Sequence, residues 1–353
     1  MGFVMRWSKS ADQDLSVDQR GWKKGQYRSY SRRDEQRVLM IHRELDSDND
    51  SSFSGASAIL QTYRERYPTE KTLSLRFIGR TLTKHGLSQK PKVRRKGVSR
   101  YLHYPEKLIA GIGKSLLEID FIGKKFVYGR TEPVNFIAFS LRFPRKLKHF
   151  QRIEAETANE TIKHCKEFFK RFEKPNVVKM DNGFAFAGAS PYPRSLNSTV
   201  FFLLKEKIIP VFTAPRRPWN QASVEGANSI FSRKFWNRFE FKDMGDVDRH
   251  LSRFNDNYQW YSAYRKPNRS MNRAYPFIPK VYFIRKVSED SQSKLGLIDI
   301  LKEQILLPKT YINMFILAEW NLKTQKLIVH YENGGLDVVV KSVPFILNSR
   351  TAL

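Results

Sequence analysis

One stretch of the sequence decides the fold that we predict, and it is Ala222-Ser-Val-Glu225-Gly-Ala-Asn228-Ser-Ile-Phe-Ser-Arg233-Lys234. Its residues favour a helix that carries one carboxylate, Glu225, on a face of small, polar and basic side chains. Two other acids, Asp120 and Asp181, each follow a short apolar run typical of a buried strand. We therefore predict that three carboxylates meet in space, one from a helix and two from strand ends.

Each of these acids has an ordinary structural explanation when it is taken alone. Asp181-Asn-Gly183 is a common turn sequence, Asp120 can cap a strand, and Glu225 can be a solvated helix residue. Together they are more informative, because an unpaired carboxylate beside a buried strand is costly and clustered carboxylates repel. A hard divalent cation relieves that repulsion. Two such ions about 3.5–4 Å apart can activate the attacking oxygen and stabilise the leaving oxygen at a phosphodiester.

The order and setting of these residues resemble the catalytic pattern of the DDE superfamily, which includes retroviral integrases and bacterial insertion-sequence transposases. The resemblance covers residues 53–347 and is carried by Asp120, Asp181-Asn-Gly183, Pro215, Pro218, Glu225 and Asn228. It implies an RNase H-like catalytic core and two Mg²⁺ or Mn²⁺ ions held by Asp120, Asp181 and Glu225. It also implies cleavage and transfer of DNA strands at the ends of a mobile element, by a homo-oligomer that pairs those ends.

The sequence departs from the retroviral pattern in three ways. The step from Asp181 to Glu225 is 44 residues, which is longer than in retroviral integrases. The excess falls in the Gly-, Pro- and Ser-rich segment 184–197, which predicts a surface loop. The retroviral zinc-binding His/Cys module is absent, so no zinc is expected. Arg233 and Lys234 lie near, but not on, the positions of the basic residues that follow the family's glutamate.

The charge of the chain points to a polyanionic partner. Its 353 residues include 63 Lys and Arg against 35 Asp and Glu, a formal net charge of +28. Such an excess is most often found in proteins that bind nucleic acid, although ribosome-associated and other basic proteins share it. Residues 1–100 carry +11, residues 101–270 carry +13 and residues 271–353 carry +4. We expect the first two segments to make most of the phosphate contacts.

The single cysteine, Cys165, excludes a disulfide within the chain and a cysteine-based zinc site. It falls in a helical pattern and is predicted to be a small core residue. The first residues lack the apolar core of a signal peptide, and no run of 18 apolar residues predicts a membrane span. These features favour a cytoplasmic, nucleoid-associated protein.

The pattern of elements predicts five segments. An α/β core with a mixed sheet is indicated by strand candidates at 116–121, 125–130, 134–141, 176–180 and 209–213, with helix candidates at 157–172, 198–207 and 220–240. Five short strand signals and the Asn333-Gly-Gly335 hairpin turn predict a small C-terminal β-barrel. The segments are a flexible N-terminus (1–30), a helix-turn-helix DNA-binding domain (31–89), a basic linker (90–113), the integrase-like catalytic core (114–270) and the barrel (271–353).

The helix-turn-helix prediction rests on three short amphipathic helices, at 33–45, 55–67 and 73–85. The third carries Arg76, Arg80 and Thr83 on one face, and Arg76, Arg80 and Lys84 are predicted to contact DNA. The linker that follows contains Arg94, Arg95 and Lys96, which are suited to a phosphate backbone. The alternative is a small helical bundle with a solvated basic face.

Further candidates surround the Glu225 helix. The loop before it contains Arg216, Arg217, Trp219 and Asn220, which can grip phosphate and stack on a splayed base, although Trp219 can equally fill a core. Arg233 and Lys234 are predicted as further DNA contacts. Asn182 and Asn228 are predicted to support the acids, and Glu118 shares a strand face with Asp120 as an auxiliary group at most.

The leading interpretation is a DDE transposase in which water, and then a DNA 3′-hydroxyl, attacks phosphorus in line. No covalent enzyme intermediate is required, which agrees with the absence of a placed Ser, Tyr or Cys nucleophile. Two other interpretations stay open. One is a non-catalytic DNA-binding repressor or architectural protein derived from a transposase, and the other is a nuclease that acts on RNA–DNA hybrids.

Overall fold

The structure is a computed structural model that describes residues 30–48, 53–88, 104–142, 146–188, 190–216, 218–263 and 277–348. The predicted flexible segment is outside this set except for its last residue. The candidates Arg94, Arg95, Lys96 and Arg217 also lie outside the described residues, and so does the side chain of Trp219.

Three helices form an N-terminal bundle: α1 (Arg32–Ser47), α2 (Ala56–Arg66) and α3 (Leu75–Lys84). The start of α1 is fixed by a capping box, in which Ser31 and Asp34 satisfy each other's backbone N–H groups. Ser74 caps α3 through the N–H of Phe77. The three helices bury a common apolar core of Val38, Ile41, Ile59, Leu60, Tyr63, Leu73, Ile78 and Leu82.

The bundle packs against a helix of the core, α9 (Met244–Ala263). The ring of Phe53 lies 5.8 Å from that of Phe254 and 5.1 Å from that of Tyr258. Nearby, Trp260 Nε1 donates to Glu65 Oε1 at 2.7 Å. The bundle is therefore attached to the core by aromatic packing as well as by the chain.

A mixed sheet lies at the centre of the molecule, as predicted, and its first five strands are β1 (Leu116–Lys125), β2 (Val134–Leu141), β3 (Leu147–Ile153), β4 (Val177–Met180) and β5 (Ile209–Phe212). Strand β1 runs antiparallel to β2 and parallel to β4, and β5 runs parallel to β4. The carboxyl ends of β1, β4 and β5 consequently lie at one edge of the sheet.

The predicted strand at 125–130 is wrong. Lys125 ends β1, and the segment after it is a loop in which Phe126 and Tyr128 are exposed and have no strand partner among the described residues. The third strand is instead β3, which pairs with β2 over its whole length. Its buried Leu147, Phe150 and Ile153 are separated by Lys, His, Gln and Arg, which concealed the apolar pattern of this strand.

Helices cover both faces of the sheet: α4 (Glu106–Ile112), α5 (Ala158–Arg171), α6 (Phe184–Ala187), α7 (Ser198–Lys205), α8 (Ala222–Phe231) and α9. On one face, Phe139 of β2 stacks on Phe168 of α5, next to the fully buried Cys165 that was predicted as a core residue. On the other, Phe136 and Phe150 pack against Phe231 of α8. None of the described helices is long and apolar enough to cross a membrane.

The helix predicted at 220–240 is divided into three parts. A 3₁₀ turn (Pro218–Gln221) precedes α8, and a π-helical turn (Ser232–Trp236) follows it. Phe235 on that turn is fully buried against Phe231 and Phe254. A π turn inserts an extra residue into the helical repeat, and here it brings Phe235 into the core.

The last strands are β6 (Lys280–Lys286), β7 (Ser288–Glu289), β8 (Gly296–Ile300), β9 (Glu303–Leu307), β10 (Phe315–Asn321), β11 (Lys326–Asn333) and β12 (Leu336–Pro344). The small C-terminal β-barrel that was predicted is not confirmed in the described part of the chain. Strand β6 pairs in parallel with β5, so β6, β10, β11 and β12 extend the central sheet to nine strands in the described part of the chain. Strands β7, β8 and β9 form a second sheet.

The reason for this difference is the apolar edge of β5. Phe212 stacks on Phe283 of β6 with ring centroids 5.3 Å apart, and both side chains are about 1% exposed. Short strand signals show that a C-terminal β structure exists, but they do not reveal which edge of the core will accept it. The pairing of β5 with β6 carries the sheet across the predicted boundary between the core and the barrel.

Candidate active site

Three elements bring Asp120, Asp181 and Glu225 to one cavity of about 350 Å³. Strands β1 and β4 are paired in parallel, with Glu118 opposite Lys179. Asp120 and Asp181 each lie two residues beyond that pair, so they emerge from the same edge and the same face. Glu225 lies in the first turn of α8, which packs across β1 and β2. All three carboxylates therefore line this cavity, and their catalytic role stays a prediction.

Helix α8 is oriented by its apolar stripe. Val224, Ala227 and Phe231 follow one another at helical spacing, and all are fully buried against the sheet. Because these residues face β1 and β2, the neighbouring Glu225 is turned toward the strand ends. Asn228, one turn further along, donates from Nδ2 to Oδ2 of Asp120 at 2.9 Å. That hydrogen bond joins the helix directly to the first acid.

The carboxylates perturb one another. Burial, followed by the charges of Asp181 and Glu225, raises the pKa of Asp120 to about 7, against the lowering effect of the Asn228 hydrogen bond. Burial, followed by the charge of Glu118, also raises the pKa of Glu225. Burial and mutual repulsion thus disfavour the charged forms of these acids, and a bound cation would offset both effects.

The residues fit a divalent metal by type but not yet by arrangement. Carboxylate oxygens are the ligands that Mg²⁺ and Mn²⁺ prefer. However, the described residues contain no group of three acidic, His or Cys side chains arranged to hold an ion as they stand. Asp181 Oδ1 accepts from the backbone N–H of Gly183 at 2.8 Å, and Asp120 Oδ2 accepts from Asn228. The carboxylates must approach one another to share an ion.

A buried ion pair lies beneath the start of α8. Glu118 is completely buried and accepts from the backbone N–H of Val224 at 3.0 Å. Its other oxygen lies 3.3 Å from Arg142 and 3.7 Å from Lys179. Lys179 is also buried, and its Nζ donates to the carbonyl of Asn220, while burial lowers its pKa. This pair connects β1 and β4 to the backbone that leads to Glu225.

Gln221 makes a second connection between the same elements. Its Nε2 donates to the carbonyls of Ile119 and Lys179, at 3.4 and 3.3 Å. The sequence interpretation kept Glu118 as an auxiliary residue and overlooked Lys179 and Gln221. A signal for Lys179 was present, because it precedes Asp181 by two residues just as Glu118 precedes Asp120.

Asn182 connects the second acid to more distant elements. Its Nδ2 donates to the carbonyl of Thr213 at 2.7 Å, and its Oδ1 accepts from Nη2 of Arg285 at 3.1 Å. Arg285 belongs to β6 and also donates to Thr213 and to Asp299, in both cases to the carbonyl. Burial lowers the pKa of Arg285 to about 10, against the raising effect of the Asp299 charge. The sequence did not point to Arg285, because the residues of the core that it contacts, Thr213 and Asn182, lie 72 and 103 residues away in the chain.

The predicted DNA-binding residues near α8 differ in their surroundings. Arg216 is exposed and lines the acid cavity. Asn220 is only 4% exposed, so its predicted DNA contact is corrected to a structural position beneath the helix. Arg233 is exposed on the π turn, where its Nε donates to the carbonyl of Ser229, and Lys234 is half-buried.

The N-terminal candidates lie apart from the cavity. Arg76, Arg80 and Lys84 are exposed on α3, which does not line the acid cavity. Lys84 is 2.7 Å from Glu35 of α1, so part of its charge is balanced within the bundle.

The segment 184–197, predicted as a surface loop, contacts the C-terminal part of the chain. The N–H of Arg194 donates to the carbonyl of Leu301, and Arg194 forms an ion pair with Glu303.

No protein-family model matches the sequence, and no curated protein matches it either. Solved structures that resemble the fold include two from retroviruses. A chain of the simian T-cell lymphotropic virus intasome, in complex with the PP2A regulatory subunit B56 gamma, has 14% identity and a TM-score of 0.37, with 72% of this chain and 97% of that chain covered. The catalytic core domain of BIV integrase has 17% identity and a TM-score of 0.30, with 45% and 88% covered. These are weak similarities.

Proposed function

We propose that this protein is a metal-dependent polynucleotidyl transferase of the DDE type, which cuts DNA strands and joins them to new sites as a transposase or integrase does. The observation that carries the proposal is the convergence of Asp120, Asp181 and Glu225, from two strands and a helix, on one cavity. The hydrogen bond from Asn228 to Asp120 and the order of the three acids along the chain support it.

In the proposed reaction, water and then a DNA 3′-hydroxyl attacks phosphorus in line. Two Mg²⁺ or Mn²⁺ ions held by the three acids would activate the attacking oxygen and stabilise the leaving oxygen. The protein itself orients the acids: Asn228 fixes Asp120, and Gly183 and Asn182 fix the turn at Asp181. Glu118, Lys179 and Gln221 hold the start of the helix that carries Glu225.

The proposed substrate is double-stranded DNA, namely the ends of a mobile element and its target. A net charge of +28 and the exposed Arg216 beside the acids favour a polyanion. The N-terminal bundle is proposed to act as a helix-turn-helix that reads the element's ends through Arg76 and Arg80 on α3. A homo-oligomer on paired DNA ends is part of the same proposal.

Strand transfer of matched terminal DNA in Mg²⁺ tests the proposal. We expect Asp120→Asn, Asp181→Asn and Glu225→Gln each to lower the rate by at least about 100-fold, because each removes a charged metal ligand. Glu206→Gln, a change at a partly exposed acid that does not line the cavity, is the matched control and should leave the rate unchanged. Full activity in all three site variants would refute the site assignment.

A non-catalytic DNA-binding protein is the second candidate, and one observation favours it. The acids are not arranged to hold an ion in the described residues, as expected of a transposase that has lost its chemistry and kept its DNA binding. Calorimetric titration with Mn²⁺ separates the two functions. Binding that disappears in Asp120→Asn supports the enzyme, whereas no uptake by the DNA-bound wild-type protein supports the binder.

A further inference from the structure

A second, larger cavity of about 760 Å³ lies beside the acid cavity. The two cavities share Asn182, Ala214 and Pro215 as lining residues. The opposite wall comes from the C-terminal strands, including Arg285 of β6. Its volume is within the range of roughly 300 to 1,000 Å³ that is common for small-molecule sites. The shared residues show that the two cavities are adjacent, so the second cavity lies within reach of an extended ligand held at the acids.

Arg285 brings a buried cation to the wall of the cavity. The residue is 7% exposed, and its guanidinium donates to three carbonyls, those of Thr213, Ile284 and Asp299, and to the side-chain oxygen of Asn182. No carboxylate in the described part of the chain lies within ion-pair distance of it, and the charge of Asp299 acts on it from further away. A buried cation with no direct ion pair favours an anionic group that enters the cavity.

The rest of the lining suits a nucleotide better than a small inorganic anion. Tyr192 lines the cavity with a side chain that is 40% exposed, and an aromatic ring in such a position can stack on a base. Ser190 and Asn313 add polar groups, and Lys286 and Lys302 add positive charge against the acids Glu289 and Asp299. A cation, an aromatic ring and polar groups around one chamber match phosphate, base and sugar respectively.

We propose that this cavity binds one nucleotide of the DNA strand, next to the phosphodiester on which Asp120, Asp181 and Glu225 act. Its phosphate lies toward Arg285 and its base stacks on Tyr192. The proposal rests on the proposed function, because a neighbouring nucleotide reaches this cavity only if a nucleic acid strand occupies the acid cavity. It assigns to the C-terminal strands a part of the substrate site that the core alone cannot build.

Fluorescence of 2-aminopurine tests this directly, without turnover. The full-length protein is titrated in EDTA with two single-stranded oligonucleotides, which carry the probe at the 3′-terminal or the penultimate position. Stacking on Tyr192 should quench at least one of them in the wild-type protein. Tyr192→Ala should abolish the quenching and weaken binding of that oligonucleotide by about tenfold.

Two further variants make the result specific. Tyr128→Ala removes a fully exposed tyrosine from the β1–β2 loop and should leave the quenching unchanged. Ser288→Trp fills the cavity from an exposed position on β7 and should prevent quenching while the thermal unfolding midpoint stays within a few degrees of wild type. Quenching in neither oligonucleotide, or equal quenching in wild type and Tyr192→Ala, overturns the proposal.

The outcome is separable from that of the proposed function. Asp120→Asn should lose strand transfer and keep the quenching, because the second cavity is intact. Loss of transfer in Asp120→Asn without quenching in the wild-type protein refutes the nucleotide cavity and leaves the enzyme standing. Quenching in a protein that never transfers strands refutes the enzyme and supports the nucleotide cavity.

Discussion

At the scale of single residues, the buried pair of Glu118 and Lys179 is the main structural support of the candidate site. Replacing Glu118 leaves the charge of Lys179 buried and unpaired, which costs about 3–5 kcal/mol, whereas replacing Lys179 leaves Glu118 paired with Arg142. We expect Glu118→Gln to lower the free energy of unfolding by about 3–5 kcal/mol, Lys179→Met to lower it by less, and the double variant by less than the sum. Denaturant unfolding measures all three. Asp248→Asn, which breaks the more exposed pair with Arg152, should cost below about 1 kcal/mol.

A substitution at Asn228 tests how the orientation of Asp120 affects the site, rather than how stable the fold is. Asn228→Ala removes the donor to Asp120, and loss of such an outer partner typically lowers metal affinity or activity by about 10–100-fold. The expected result is a higher Mg²⁺ requirement for strand cleavage, measured by titrating the metal at saturating DNA. Ser229→Ala, on the exposed side of the same helix, should leave the Mg²⁺ requirement at its wild-type value. Equal requirements in wild type and Asn228→Ala would contradict the role proposed for Asn228.

The burial of His149, which lies outside the acid cavity, predicts that the stability of the fold depends on pH. Burial, followed by the charge of Arg171, lowers the pKa of His149 to about 4, against the raising effect of its hydrogen bonding with the Asn255 side chain. The unfolded chain, with a histidine pKa near 6.5, binds a proton that the folded protein resists. The free energy of unfolding should therefore fall as the pH drops from about 6.5 to about 4, by about 3 kcal/mol in total.

Urea unfolding at several pH values measures this effect, and His149→Phe isolates it. The phenyl ring would replace the imidazole beside Phe168 and Phe172 and cannot titrate. The variant should show a shallower decrease between pH 6.5 and 4. Identical slopes in the two proteins would show that other groups account for the acid sensitivity.

At the scale of elements, features set by neighbouring residues could be predicted from the sequence, and features set by contacts distant in the chain could not. The strand that contains Asp120, the strand that ends just before Asp181 and the helix that carries Glu225 were predictable, since apolar runs and helical spacing are local properties. The strand of Asp120 continues beyond this acid, to Lys125. Strand β3 was missed because charged and polar residues separate its buried side chains. The pairing of β6 with β5, and with it the contact of Arg285 with Asn182, depends on two edges about 70 residues apart, which no local pattern encodes.

That pairing predicts how the chain behaves when it is shortened. A fragment of residues 104–263 would expose Val211 and Phe212, which are now fully buried against β6. Exposing each such side chain costs about 1.5–3 kcal/mol. We expect this fragment to be aggregated or sensitive to protease, whereas a fragment of residues 104–348 should resist limited proteolysis. Equal resistance would mean that the core does not depend on the C-terminal strands.

At the scale of the whole molecule, positive charge should govern the interaction with DNA. The logarithm of the association constant falls by about 0.9 per neutralised phosphate for each tenfold rise in salt. We expect a steep slope for the whole protein, which Arg76→Ala combined with Arg80→Ala should reduce by about two units. Fluorescence anisotropy across a salt series measures it. A flat response would remove the basic surface from the proposed DNA contact.

The hydrogen bond from Arg285 to Asn182 also affects when the site is completed during protein synthesis. A ribosome makes β1, β4 and α8 well before it makes β6, so a growing chain contains all three acids before the guanidinium that secures the second of them. The nine-stranded sheet is finished only after β12 has emerged. A chain that stops before β6 would therefore lack the hydrogen bond from Arg285 to Asn182, and the proposed capacity to cut DNA would arise only after β6 has been made.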